Sequence, residues 1–139
     1  MSKILVIEDD DTMREGMCYS LEKEGHYVDF AEDGEEGLAT FQSGDFDLVI
    51  TDYRMESMNG IEVLEAVKEI NPETDVVLIT AYGTMELAVE AMEKGASDCV
   101  SKPLSLKEFR TRINKVLENR AVKQENRRLG EENLYLREQ

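Results

Sequence analysis

Much that would define other protein classes is missing from this chain. Its 139 residues hold no apolar run long enough to span a bilayer. The opening Met1-Ser2-Lys3-Ile4-Leu5-Val6 enters a strand-like run with no leader pattern, so a cytoplasmic protein without membrane contact is expected. The two cysteines, Cys18 and Cys99, lie far apart, form no CxxC pair, and read as reduced structural thiols. The one histidine, His26, follows Gly25 at an expected helix end, and without a cysteine cluster beside it zinc is disfavoured. Basic residues are scarce: 16 Lys+Arg against 31 Asp+Glu leave a net charge of -15, which argues against direct nucleic-acid binding. There is no Gly-rich phosphate loop of the Walker type, so the chain alone is not expected to hydrolyse ATP.

What is present suits one compact domain with a tail. Hydrophobic residues make up 41% of the chain, enough for an ordinary core. Residues 119–139 carry five Lys+Arg and four Asp+Glu, which leaves 11 basic and 27 acidic residues for 1–118. That shift near Asn119 divides the chain into an expected domain over 1–118 and a helical linker over 119–139.

Apolar runs alternate with helical periodicity. Strands are expected at Lys3 to Ile7, Tyr27 to Ala31, Asp47 to Asp52, Val76 to Thr80 and Cys99 to Ser101. Between them, Met13, Met17 and Leu21 mark a first helix capped by Asp11 or Thr12, and Asp33-Gly34 opens a second with Leu38 and Phe41 inward. Ile61, Leu64 and Val67 form the inner face of a third, stopped by Asn71-Pro72. Met85, Ala88, Val89 and Met92 are expected inward on a fourth, and Ser105 to Glu108 is a capping box for a long last helix. Strict alternation implies parallel βαβ units, covered on both faces. The expected fold is α/β: a flavodoxin-like (βα)5 doubly wound sheet in the order 2-1-3-4-5, its last helix extended into a coiled-coil linker.

Two apolar runs end abruptly in acid: Ile4-Leu5-Val6-Ile7 at Glu8-Asp9-Asp10-Asp11, and Leu48-Val49-Ile50-Thr51 at Asp52. A charge inside a strand is costly to bury, whereas at the strand's C-terminal tip it can face a crevice. In open α/β sheets, sites form there, where the strand order reverses. Side by side, the first and third strands would bring Glu8, Asp9 and Asp52 together. Clustered carboxylates repel unless protonated or neutralised by a cation, and hard oxygen donors favour Mg2+. Asp52 is the candidate nucleophile, since a carboxylate can form an acyl phosphate. The fourth strand ends at Thr80-Ala81, offering a hydroxyl and an approachable backbone N–H to phosphoryl oxygens. The fifth ends at Lys102, whose ammonium can pair with phosphate, and Pro103 can fix the peptide there as a cis bond.

In this combination the chain resembles a response-regulator receiver domain of bacterial two-component signalling. Ile4 to Asp10, Thr51-Asp52, Asn59-Gly60, Thr80-Ala81 and Ser101-Lys102-Pro103 match the family's motifs in order, over about residues 3–118. The resemblance implies that Asp52 accepts phosphate from a sensor histidine kinase. It implies a Mg2+ site from Asp9, Asp52 and the Arg54 backbone carbonyl, with Glu8 acting through water. It further implies that Thr80 turns toward the phosphate and Lys102 pairs with it, a regulatory switch rather than an enzyme. Two positions depart from the family. Glu56 stands where proline is usual, and Cys99 where an aromatic ring usually relays the signal to the fourth helix and fifth strand; Tyr82 is the candidate replacement ring.

In the tail, Val122, Leu129 and Leu136 fall seven apart, as do Asn119, Asn126 and Asn133. With asparagine at a and the apolar residues at d, Glu118 and Glu132 at g face Lys123 and Arg137 at e, which suits a parallel two-stranded coil. Asparagine at a and Gly130 at e make it a weak one. A homodimer through the last helix and linker is expected, with the face of helix four, strand five and helix five as a second contact. A receiver with this extension resembles the amino-terminal part of nitrogen-regulation-type, sigma-54-dependent activators, in which an AAA+ ATPase and a DNA-binding domain follow. Thr80 to Thr84 and Ala88 to Met92 share that likeness. Three rival functions are weaker. An aspartyl phosphatase or phosphotransferase usually carries a second Asp two residues after the first, where Arg54 stands. A flavin module wants a Ser/Thr/Gly phosphate loop after strand one, and a dimerisation module with a dead pocket does not need the Asp/Thr/Lys set.

Overall fold

The computed structural model describes residues 1–81 and 83–138, with side chains described as far as Gly130. Five strands alternate with five helices: β1 (Lys3–Ile7), α1 (Asp11–Lys23), β2 (Tyr27–Ala31), α2 (Gly34–Ser43), β3 (Leu48–Asp52), α3 (Gly60–Ile70), β4 (Asp75–Thr80), α4 (Met85–Glu93), β5 (Asp98–Ser101) and α5 (Leu106–Glu138). The strands form one parallel sheet in the order β2-β1-β3-β4-β5, the doubly wound order expected from the sequence.

The sheet separates two cores, and strand parity decides which residue enters which. Leu5, Ile7, Val49, Val76 and Leu78 face the side closed by Phe41, Leu64, Val67, Leu87 and Ala91 of α2, α3 and α4. Ile4, Val6, Leu48, Ile50, Val77 and Ile79 face Met17 and Leu21 of α1 and Phe109, Ile113 and Val116 of α5. With β1, β3 and β4 buried on both faces, polar residues can enter the middle of the sheet only at its ends. Ile7 pairs with Thr51, which sets the tips of β1 and β3 side by side.

Local chemistry fixes the helix starts. Asp33, Asn59 and Thr84 cap α2, α3 and α4 by accepting from the backbone N–H three residues on, and Asn59 and Glu62 form a reciprocal capping box. Helix α1 differs from expectation: its cap is Asp10, which accepts from the Met13 N–H at 2.9 Å, so the helix begins at Asp11. The inward face of α4 also differs. Leu87 and Ala91 are buried, whereas Met85, Val89 and Met92 are exposed and Ala88 is half-buried. Both sets have helical spacing, and only the phase set by the Thr84 cap and the docking of α4 on the sheet chooses between them.

Helix α5 runs unbroken past Asn119, where the sequence shift predicts a linker. Arg120 anchors that continuation to the edge of the sheet opposite the acidic tips. Its guanidinium donates to the Glu73 carbonyl at 2.5 Å and to Asp75 at 3.3 Å and Asp47 at 3.4 Å, while Arg127 pairs with Glu73 at 2.9 Å. In the heptad expected from the sequence both arginines are b positions, so their pairing leaves the expected a/d seam uncovered. Asn119, Val122, Asn126 and Leu129 on that seam are exposed; the side chains of Asn133 and Leu136 lie outside the described residues. Arg120→Ala is expected to lower stability by about 1–3 kcal/mol, because two half-buried carboxylates lose a shared donor. It should also speed amide hydrogen exchange across residues 119–127 more than in the sheet, as urea unfolding and exchange measurements can check.

Candidate functional site

The acidic tips converge. One carboxylate oxygen from each of Glu8, Asp9 and Asp52 lies within 4.8 Å of the others. Glu8 and Asp52 are buried and Asp9 is exposed, so the cluster opens to solvent on one side. The Lys102 ammonium reaches in from the end of β5, 2.9 Å from Glu8 Oε1 and 3.4 Å from Asp52 Oδ1. Thr80, at the end of β4, is 1% exposed and paired in register with Ser101, with the Lys102 N–H donating to its carbonyl at 2.8 Å. Ala81 and Arg54 are exposed beside these tips. The Lys102–Pro103 peptide is cis. Four strand ends thus deliver Glu8 and Asp9, Asp52, Thr80 and Lys102 to one end of the sheet. Cys99 is half-buried and packs against the core that contains Leu87 and Ala91 of α4. Tyr82 lies outside the described residues.

Asp52 is held by backbone. The Tyr53 N–H donates to Asp52 Oδ1 at 3.0 Å, and Gly60 at the start of α3 donates to the Tyr53 carbonyl at 2.7 Å. A Cβ at Gly60 would stand 2.6 Å from the Asp52 carbonyl oxygen and 2.9 Å from Tyr53 Cα. Glycine is required there because the helix approaches the backbone of the β3 tip itself. The Asn59-Gly60 pair was visible in the sequence, but this reason for it was not. Arg14 carried no signal in the sequence: it is buried, and its guanidinium donates to the Glu8 carbonyl at 2.9 Å.

Electrostatics mark the cluster as short of positive charge. Burial pushes the Glu8 carboxyl up to about 7, against the lowering effect of the Lys102 hydrogen bond. Burial also raises Asp52 above the usual range, more than the Lys102 charge and the hydrogen bonds of Glu8 and Lys102 lower it. For Lys102, burial favours the neutral amine, but the Glu8 hydrogen bond and the charges of Asp52 and Glu8 outweigh it and raise its pKa. The unfolded carboxylates titrate lower, so through the window from about 4.5 to about 7 the native state holds up to about one proton more. Stability therefore falls as pH rises through that window. Glu8→Gln should flatten this dependence in thermal melts from about pH 5 to about pH 8, with wild type measured alongside to remove the background of the other acids. A divalent cation answers the same charge deficit. The donors are all hard oxygens with neither nitrogen nor sulfur, which fits Mg2+.

Along the rim, a groove of about 790 Å³ runs between the start of α1 and the start of α5. Met13 and Gly16 line it on one side and Leu106 and Phe109 on the other, and Ala81 and Lys102 belong to both the groove and the tips.

A five-stranded sheet of this order with acids, a threonine and a lysine at its tips defines a phosphorylation-based signalling module. The chain belongs to the response regulator receiver domain family, which its residues 4–114 match. It is 37% identical over 117 residues to a cyclic di-GMP phosphodiesterase of Thermotoga maritima, covering 84% of this chain and 31% of that protein. It is 33% identical over 129 residues to the regulatory protein AtoC of Escherichia coli, covering 93% of this chain and 28% of that protein. Among solved structures, NtrX from Brucella abortus superposes with a TM-score of 0.86 at 30% identity, covering 92% of this chain and 29% of that one. This chain therefore spans about a third of the length of these proteins.

Proposed function

We propose that this receiver takes a phosphoryl group onto Asp52 from a phosphohistidine of a sensor kinase. The convergence of Glu8, Asp9 and Asp52 under the Lys102 ammonium carries this reading. Asp9, Asp52 and the Arg54 carbonyl would hold Mg2+, with Glu8 acting through water. When bound, the ion neutralises the carboxylates and the phosphoryl oxygens, leaving Asp52 free to act as nucleophile. An Asp52 carboxylate oxygen attacks phosphorus as the phosphorus–nitrogen bond to the histidine breaks, and the imidazole departs. The Thr80 hydroxyl and the Ala81 N–H donate to the transferred group, and Lys102 exchanges its pairing with Glu8 for the phosphate. The groove beside Ala81 and Lys102 supports access by a partner's histidine-bearing segment from the side of α1.

Closure of Thr80 and Lys102 on the phosphate shifts α4, β5 and α5, and with them the dimer contacts. The exposed Met85, Val89 and Met92 favour α4 as the output face, with Cys99 in place of a relaying ring and Tyr82 the candidate substitute. A ligand shifts such an equilibrium only by its differential affinity, and a coupling of about 1–3 kcal/mol is expected. In the whole protein, the linker at Asn119, Val122, Asn126, Leu129, Asn133 and Leu136 joins two receivers and leads to a sigma-54 activator ATPase and a DNA-binding domain. The coverage of 93% of this chain by the AtoC match, reaching into the linker, supports that subclass.

Two measurements on the 139-residue chain test this reading. Acetyl phosphate with magnesium, followed by borohydride reduction and peptide mapping, should mark Asp52. Sedimentation with and without beryllofluoride and magnesium should show a change of association state. Label spread over other acids, or sedimentation indifferent to the additive, speaks against it.

A further inference from the structure

We infer that Arg14 is a positioning residue of the cation site, acting through the peptide from which both Glu8 and Asp9 hang. This rests on reading Glu8, Asp9 and Asp52 as a divalent-cation site. Glu8 lies just past the end of β1, where the strand ladder stops. Its N–H is still satisfied, donating to the Ala31 carbonyl of β2 at 3.1 Å. Its carbonyl accepts a buried bond from Arg14 Nη1 at 2.9 Å. These two bonds flank the Glu8 Cα and fix the planes on either side of it. They thereby set the direction of the Glu8 side chain toward Lys102 and of the Asp9 side chain toward the crevice.

Arg14 is itself over-determined. Its other terminal nitrogen donates to Asp11 at 2.6 Å and lies 3.7 Å from Glu32, and the guanidinium stacks 5.4 Å from the Phe30 ring centroid. Burial of the side chain and these contacts tie it to the ends of β1 and β2 and the first turn of α1 at once. A planar fork with five donors can serve those directions together, which a single ammonium cannot. Groups that orient metal ligands from behind commonly change metal affinity 10–100-fold when removed.

Positioning and charge predict opposite signs. Arg14 is a cation beside an acidic cluster, so loss of its charge alone would tighten Mg2+ binding. Loss of its hydrogen bond to Glu8 would loosen the ligands and weaken binding. Calorimetric titration of Mg2+ into wild type, Arg14→Met, Arg14→Lys and Asp9→Asn, with apo melting curves for each, separates these. Arg14→Met is expected to weaken Mg2+ about tenfold. Arg14→Lys, which keeps the charge and one donor, should fall between Arg14→Met and wild type. If Arg14→Met does not fold, Arg14→Lys decides: weaker binding at an unchanged apo melting temperature supports the inference. Affinity equal to or tighter than wild type in the folded variants overturns it. Failure of the metal-site reading itself looks different, since wild type and Asp9→Asn would then bind alike.

Discussion

An Asp52→Asn chain is expected to stay folded, to melt higher than wild type without metal, and to take up no phosphate from acetyl phosphate and magnesium. The amide is nearly isosteric, so the Tyr53 N–H keeps an oxygen to donate to, and the tight approach of Gly60 to the β3 tip is undisturbed. The amide is not a nucleophile, so the step at this position is lost. The higher melting temperature follows from the direction of the Asp52 shift. Burial disfavours its ionised form in the native state, so near neutral pH the charge costs stability that a neutral amide does not. Labelling assays and thermal melts on the same preparations check both halves. Retained labelling at wild-type level would remove Asp52 from the proposed role, and a lower melting temperature would contradict the electrostatic account.

Lys102→Met is expected to act in two opposed ways. Without metal, Glu8 and Asp52 lose their shared counter-ion, one at 2.9 Å and the other at 3.4 Å, and stability should fall by about 1–3 kcal/mol near neutral pH. Part of that loss should vanish at about pH 5, below the value of about 7 to which burial pushes Glu8, where that carboxyl is protonated. With magnesium the sign reverses. The ammonium competes with a cation for the same oxygens, so its removal should tighten Mg2+ binding. Phosphorylation can still occur, because the carboxylates that hold the ion remain, but the association state should no longer respond to beryllofluoride, because the group that closes on the phosphate is gone. Melts at the two pH values, magnesium titration and sedimentation test these separately. A variant that binds Mg2+ more weakly than wild type would show that Lys102 supports the ion rather than competing with it.

The strand tips were legible because an apolar run that ends in acid has few places to go. Val49 and Ile50 serve opposite cores, and that double burial forces Asp52 to the end of the sheet. Alternation of elements implied parallel βαβ units, and the order 2-1-3-4-5 came from the flavodoxin-like arrangement that five such units fit. Less legible were features decided by pairing and docking rather than by the local pattern. The stretch from Glu8 to Thr12 offers several capping residues in a row, and choosing Asp10 over Asp11 depends on Arg14 holding Asp11. The phase of α4 was misread because Met85, Val89 and Met92 mimic an inner stripe as well as Leu87 and Ala91 do. Arg120 sat at an outer heptad position, and nothing local announced Asp47 and Asp75 as its partners.

The proposed switch requires that carboxylates from the tips of β1 and β3 form one divalent-cation site. The most direct test is magnesium titration of wild type, Asp9→Asn and Asp52→Asn, followed by calorimetry or amide chemical shifts. About one ion per chain should bind wild type, with shifts concentrated at residues 8–10, 52–54 and 102, and each substitution should abolish or greatly weaken it. Binding that survives both substitutions, or shifts that spread over the acidic surface without focus on those tips, would contradict the account.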